Sequence, residues 1–235
     1  MILDQTVKMI LFGGGEVCNE ILPYIDWDAV RRHPKILCSY SDSTSILDAV
    51  TSQTGLVTFY GQSLRTFAPL NSYNWQVFRD RFMNPVSDYA SSSPWKVICS
   101  GSSEGVLTGG YLVNYAALFG LPWFRLEKET KYLLFLEDHE KFSNPAAVSK
   151  WLTHLNHRGV FRQVSGLIFG HYSTNEQPFI DEILARVGVR YHIPVVRCDD
   201  FGHGRYNAVY PIGIRAKLDT TNHKNIFTFL ENSVL

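Results

Sequence analysis

Lys35-Ile-Leu-Cys-Ser-Tyr-Ser41-Asp-Ser-Thr-Ser45 is the stretch on which the fold turns. It opens as an apolar strand, becomes small and polar, and leads into a predicted helix that starts around Ile46. A nucleophile elbow has this strand, tight turn, helix form. Its crowded backbone requires small side chains two residues before and after the nucleophile, and Ser39 and Ser43 supply them in place of the usual glycines. Ser41 would then stand exposed at the apex. An ordinary strand-to-helix turn with serine caps fits the same residues, and the segment alone does not choose between the two.

Outward from this segment, short apolar runs alternate with segments of helical period, the signature of an α/β protein with a largely parallel sheet. Residues 7–12, 35–40, 97–100, 132–136, 165–169 and 194–197 read as strands. The clearest helix begins near Asn144-Pro145, carries Val148, Trp151, Leu152 and Leu155 on one stripe, and stops at Gly159. Between Gln62 and Trp95 the pattern loosens, and Tyr89 to Ser93 reads as a linker. The predicted organisation is therefore an N-terminal lobe over 1–92, a parallel sheet flanked by helices, and a C-terminal α/β lobe over 93–235. After Gly213 a strand, the polar turn of residues 220–225 and the run Ile226 to Leu230 predict a closing β hairpin.

Composition narrows the function. The 235 residues are 45% hydrophobic, enough for a sizeable core, and 22 basic residues balance 22 acidic ones. No global field draws the chain to nucleic acid or to an acidic membrane surface. Cys18, Cys38, Cys99 and Cys198 are widely spaced, with no disulfide or zinc framework. No basic-then-apolar leader opens the sequence, and no run is long enough to suggest a membrane span, so a cytoplasmic location is the expectation.

Four further segments carry residues suited to chemistry. Gly13-Gly14-Gly15-Glu16 follows the first strand, and its backbone N–H groups could approach an anion or a developing oxyanion. It lacks the spaced glycines of a dinucleotide site and the lysine of a phosphate loop, and Glu16 would repel phosphate. Glu137 and Asp138 follow a buried-looking strand and could orient a histidine; acids favoured at a helix N-terminus are the plainer explanation. His203, between Gly202 and Gly204, is the general-base candidate, with His171 its rival. A metal held by Asp199, Asp200, His171 and His203 is conceivable but has no compact ligand spacing, and no cofactor is expected.

Taken in order, these motifs resemble the serine LD-carboxypeptidases, a family that also contains the microcin C immunity peptidases. The resemblance is carried by Gly14-Gly15 with Ile21-Leu-Pro-Tyr-Ile-Asp26, by Tyr40-Ser41-Asp42 with Thr44, and by Thr54-Gly-Leu-Val-Thr-Phe-Tyr-Gly61. It continues through Glu104-Gly-Val-Leu-Thr-Gly-Gly110, Leu134-Phe-Leu-Glu-Asp138, and Gly202-His203 with Pro211-Ile-Gly213. It implies a metal-free triad in which Ser41 is the nucleophile, His203 the general base and Glu137 the carboxylate that orients it. It also implies an oxyanion hole from the backbone N–H of Asp42 and that of Gly14 or Gly15. The substrate implied is a cytoplasmic muropeptide, cut between an L-centre of the diamino acid and a terminal D-alanine, with Arg205 as a candidate to receive the terminal carboxylate.

The sequence departs from the family pattern at Gly13, Glu16, Ser39 and Gln62. Family members also carry an earlier strand and helix run, so a shortened first lobe with an exposed sheet edge is expected, and a homodimer would help cover it. Two other functions compete. One is a peptidase like the microcin C immunity proteins, cleaving an aminoacyl-nucleotide amide, with an aromatic such as Trp123 stacked on the base. The other is a binding protein of the same fold without catalysis.

Overall fold

The computed structural model describes residues 1–67, 71–83, 89–222 and 225–233. Parts of the loose stretch after Gln62 (68–70 and 84–88) and of the polar turn (223–224) lie outside the described residues. Two sheets organise the rest. The first has strands β1 (Met9–Leu11), β2 (Ile36–Ser39) and β3 (Thr58–Tyr60) running parallel, with β9 (Tyr210–Ile212) antiparallel on β3. The second has seven strands in the order β11-β10-β5-β6-β7-β8-β4: Phe227–Phe229, Arg215–Asp219, Ser102–Tyr111, Tyr132–Glu137, Val164–Phe169, Val195–Arg197 and Lys96–Cys99. Its centre, β5 to β8, is parallel, and β4 and the β10–β11 hairpin close it antiparallel.

The helices are α1 (Trp27–Arg32), α2 (Thr44–Thr54), α3 (Leu64–Phe67), α4 (Ser72–Phe82), α5 (Leu112–Leu118), α6 (Pro145–His157) and α7 (Pro178–Tyr191). Every residue of β6 is buried, as a parallel strand covered on both faces requires. Its side chains alternate between two cores. Leu134 and Leu136 join Val148, Leu152 and Leu155 of α6 on one face, while Leu133 and Phe135 join Tyr210, Phe227 and Phe229 on the other. The predicted helix starts where its cap demands: the Asn144 side chain accepts from Ala147 N at 2.9 Å, and Pro145 needs no donor in the first turn.

Two features differ from the sequence expectation. The longest strand, β5, is absent from the predicted strands because Ser-Ser-Glu-Gly-Val-Leu-Thr-Gly-Gly-Tyr shows no apolar run. Its glycines are there for close approach: at Gly109, with φ of 136°, a Cβ would stand 1.8 Å from Phe135 O on the neighbouring strand. The other is β9, which returns from residues 210–212 to pair with β3, so the four-stranded sheet draws on both sides of residue 92.

Candidate active site

Parallel strands present their C-terminal ends to one rim, and the chemistry-bearing residues gather there. Ser41 follows β2, Glu137 ends β6, and His203 lies in the loop between β8 and β9. Ser41 has a left-handed backbone, φ of 64°, at the junction with a short 3-10 helix (Ser41–Ser43) leading into α2. A non-glycine residue held this way is strained and persists only where its surroundings over-determine it. Here its N–H donates to Tyr60 Oη at 3.0 Å and its carbonyl accepts from Thr44 Oγ1 at 2.7 Å. The turn is an elbow rather than a plain serine-capped one: neither Tyr40 nor Ser43 caps a helix with its side chain.

From Ser41 a hydrogen-bonded chain runs inward. Oγ lies 2.8 Å from His203 Nε2, and His203 Nδ1 lies 2.9 Å from Glu137 Oε2. A carboxylate accepts and cannot donate, so with Glu137 on Nδ1–H the other ring nitrogen, Nε2, faces Ser41 Oγ as the acceptor of its proton. Burial draws the His203 pKa down, but the charge and hydrogen bond of Glu137, with Asp138 behind it, outweigh this and hold it above the ordinary value. Burial pushes Asp138 up to about 6, partly opposed by its hydrogen bonds to His139 N and Ser143. Tyr111, Tyr40 and Phe142 surround the imidazole, with ring centroids 5.0, 5.3 and 5.3 Å away.

The glycine-rich turn is tied to the elbow. Ser39 Oγ donates to Phe12 O at 2.7 Å and Ser43 Oγ to Gly13 O at 2.9 Å. Gly14 thereby runs beside Ser41 and the Asp42 N–H, while the Asp42 carboxylate accepts from Cys18 N at 2.6 Å and from Asn114 Nδ2. A cleft of about 560 Å³ opens over these groups, lined by Gly13 to Glu16, Tyr40, Tyr111, Phe142 and His203 among others. Glu16, one of the departures from the family pattern, puts a carboxylate on the lining of this cleft.

Other expected residues stand elsewhere. Arg205 is exposed, its carbonyl accepts from Asn71 Nδ2 at 3.1 Å, and its guanidinium lies 5.7 Å from the Tyr206 ring; it does not line the cleft. Trp123 is half-buried against the core on the α5–α6 side, as an apolar ring in a turn beside that core would be. His171 pairs with Asp199 at 2.9 Å, whereas Asp200 accepts from Tyr89 Oη, Ser92 and Trp95 Nε1. Among the described residues no group of three or more His, Cys, Asp or Glu side chains is placed to hold a metal ion, and no helix is long and apolar enough to cross a membrane. All four cysteines are free.

Several participants escaped the sequence reading. Tyr60 lies inside the Thr54–Gly61 motif, and its place at the end of a strand was the available signal. Asn114 and Phe142 had none: one follows the unrecognised β5, and the other lies in an irregular loop.

Comparison with known proteins identifies the family. The LD-carboxypeptidase N-terminal domain matches residues 1–61 and the LD-carboxypeptidase C-terminal domain residues 104–218. The Bacillus subtilis protein named "Putative carboxypeptidase YocD" is 30% identical over 92% of this chain and 74% of its own length. The "Probable murein peptide carboxypeptidase" of Bacillus subtilis is 28% identical over 94% of this chain and 71% of its own. The Escherichia coli microcin C7 self-immunity protein MccF is 28% identical over 91% and 71%. The crystal structure of an MccF-like protein from Bacillus anthracis superposes with a TM-score of 0.85 at 26% identity, covering 97% of this chain and 78% of that one. The family matches and the fold together define a serine peptidase. The chain belongs to the LD-carboxypeptidase family.

Proposed function

We propose that this protein is a cytoplasmic serine carboxypeptidase that hydrolyses the amide between an L-centre of the diamino acid and the terminal D-alanine of a muropeptide. The observation that carries the reading is the unbroken chain from Ser41 Oγ through His203 to Glu137, with His203 lining an open cleft. His203 Nε2 removes the serine proton as Oγ attacks the carbonyl, and Glu137 stabilises the resulting imidazolium. The N–H of Asp42 and that of Gly14 or Gly15 receive the oxyanion; the N–H of Ser41 is already engaged by Tyr60. One such donor is worth about 3–4 kcal/mol in comparable enzymes. His203 then protonates the departing amine, D-alanine leaves, and a water activated by the same imidazole frees Ser41. The murein peptide carboxypeptidase among the relatives supports this substrate class.

A second substrate is favoured by a separate observation. Tyr40, Tyr111 and Phe142 give the cleft an aromatic lining that could stack on a base, and MccF is among the relatives, so an aminoacyl-nucleotide amide is the alternative. Mass-spectrometric detection of D-alanine release from a muramoyl tetrapeptide, with Ser41→Ala as control, tests the first reading. Release that disappears in the variant supports it. A folded protein that releases no D-alanine but cleaves an aminoacyl sulfamoyl nucleoside would replace the first substrate by the second, and one that cleaves neither would leave a binding protein.

A further inference from the structure

The Tyr60 hydroxyl touches both ends of the relay. Its oxygen accepts from Ser41 N at 3.0 Å, and its proton goes to Glu137 Oε1 at 2.5 Å. A phenol carries a single proton and a backbone N–H can only donate, so the phenol oxygen accepts from Ser41 and its own proton goes to Glu137. Tyr60 ends β3, is fully buried, and lies with its ring 5.8 Å from Phe135 and edge-on to Phe201 at 6.5 Å. Burial and the neighbouring Glu137 charge raise its pKa far above the ordinary value, so the phenol stays a donor.

Both carboxylate oxygens of Glu137 are therefore engaged, Oε1 by Tyr60 and Oε2 by His203 Nδ1 at 2.9 Å. Charge drawn toward the phenol is charge withheld from the imidazole. The other titratable groups facing His203 are Asp138 and His139 after β6, Tyr40 after β2, Tyr111 at the end of β5, and His171 behind His139 after β7.

We propose that Tyr60 is a positioning residue for hydrolysis: it pins the strained Ser41 backbone and, by sharing Glu137, sets how strongly the carboxylate holds the proton on His203. The proposal rests on the catalytic reading of Ser41, His203 and Glu137. Without the phenol the full carboxylate charge acts on His203, its proton is held more tightly, and the neutral imidazole that deprotonates Ser41 appears only at higher pH.

Tyr60→Phe in the full chain tests this with two readouts, an NMR titration of the His203 imidazole and the rate at which a fluorophosphonate labels Ser41. The expected outcome is an imidazole pKa higher by about half a unit or more and labelling at neutral pH slower by about tenfold, the equivalent of one lost hydrogen bond. An unchanged titration and labelling rate would overturn the proposal. A ring-fluorinated tyrosine at position 60 keeps the shape and both bonds but donates more strongly, so the titration should move the opposite way. No shift, or an upward one, overturns the proposal even where Tyr60→Phe does not fold. Wild-type protein whose Ser41 takes no fluorophosphonate would sink the catalytic reading instead. The His203 titration needs no activity and still decides whether Tyr60 tunes the pair.

Discussion

Gly202 lets the histidine loop close on Glu137: a Cβ at this position would stand 2.8 Å from Glu137 Oε2, the oxygen that accepts from His203. Gly202 also has φ of 105°, a backbone conformation that side chains rarely adopt. The glycine beside His203 thus serves the contact between loop and carboxylate. Gly202→Ala should push the loop away and lengthen the Glu137 to His203 bond. The expected result is a kcat lower by about 10- to 100-fold, corresponding to strain of about 1–3 kcal/mol, with KM changed much less. Steady-state kinetics on the substrate identified by D-alanine release measure it, and a variant with wild-type kcat would show that the loop tolerates the methyl group.

Glu137→Gln separates charge from shape. The Gln oxygen can still accept from Nδ1, but the charge that holds the His203 pKa above its ordinary value is gone, and burial then draws it down. On the proposed mechanism hydrolysis needs neutral His203, so wild-type kcat/KM should fall as pH drops through the raised pKa, and in the variant that acid limb should move to lower pH. The plateau rate should fall by about 10³- to 10⁴-fold, because the imidazolium formed during attack loses its counter-charge. A pH profile of both proteins checks the two effects together. The same shift affects stability with the opposite dependence: the contribution of the His203–Glu137 pair is present below the unfolded histidine pKa and is lost as pH rises through the folded one.

The parts of this architecture legible in the sequence share one property, which is that their signal is local. The apolar runs of β6 and β7 and the stripe of α6 announce themselves because both faces, or one face, must be buried. Ser41, Glu137 and His203 were marked by local features: Ser41 by Ser39 and Ser43 either side of a strand end, Glu137 by its place at the end of an apolar strand, and His203 by the glycines that flank it after a strand. β5 was hidden because glycines and hydroxyl residues do for it what apolar side chains do elsewhere, fitting one backbone against another. The Tyr60 to Glu137 bond spans 77 residues, and no local pattern encodes a partner at that distance. Arg205 shows the converse failure: two residues from His203 in sequence, it still stands outside the cleft because the loop carries its side chain over Tyr206.

Asp48 makes stability depend on pH. It is buried in α2, accepts from Thr108 Oγ1 at 2.9 Å through one oxygen, and has no partner for the other among the described residues, so desolvation pushes its pKa up to about 8 despite that bond. The folded protein then holds a proton that the unfolded chain releases near pH 4. Stability should therefore fall as pH rises between the two values, by about 1.4 kcal/mol per unit at most. Asp48→Asn mimics the protonated acid and should remove this slope. Thermal melts at pH 5 and pH 8 are expected to show the variant close to wild type at the lower value and clearly more stable at the higher one. Parallel slopes for the two proteins would mean that Asp48 titrates normally in the fold.

Asp200 fastens the segment before β4 to the loop that carries His203. Its carboxylate accepts from Ser92 N at 2.8 Å, Trp95 Nε1 at 2.7 Å and Tyr89 Oη at 3.0 Å, as well as from Ser92 Oγ, while its own carbonyl accepts from Ala208 N at 2.8 Å. Burial raises its pKa, and these donors oppose the rise. Asp200→Ala would leave the indole N–H and the Ser92 N–H without their acceptor in the interior, at about 1–3 kcal/mol for each unsatisfied group. Ser41 and Glu137 are anchored independently, through Tyr60 and Thr44, so the damage should concentrate on the histidine loop. Hydrogen exchange should show faster opening of residues 199–208 and of 89–95 in the variant, with α6 and β6 protected as in wild type. Uniform loss of protection across the chain would instead make Asp200 a determinant of global folding, with no special hold on the loop.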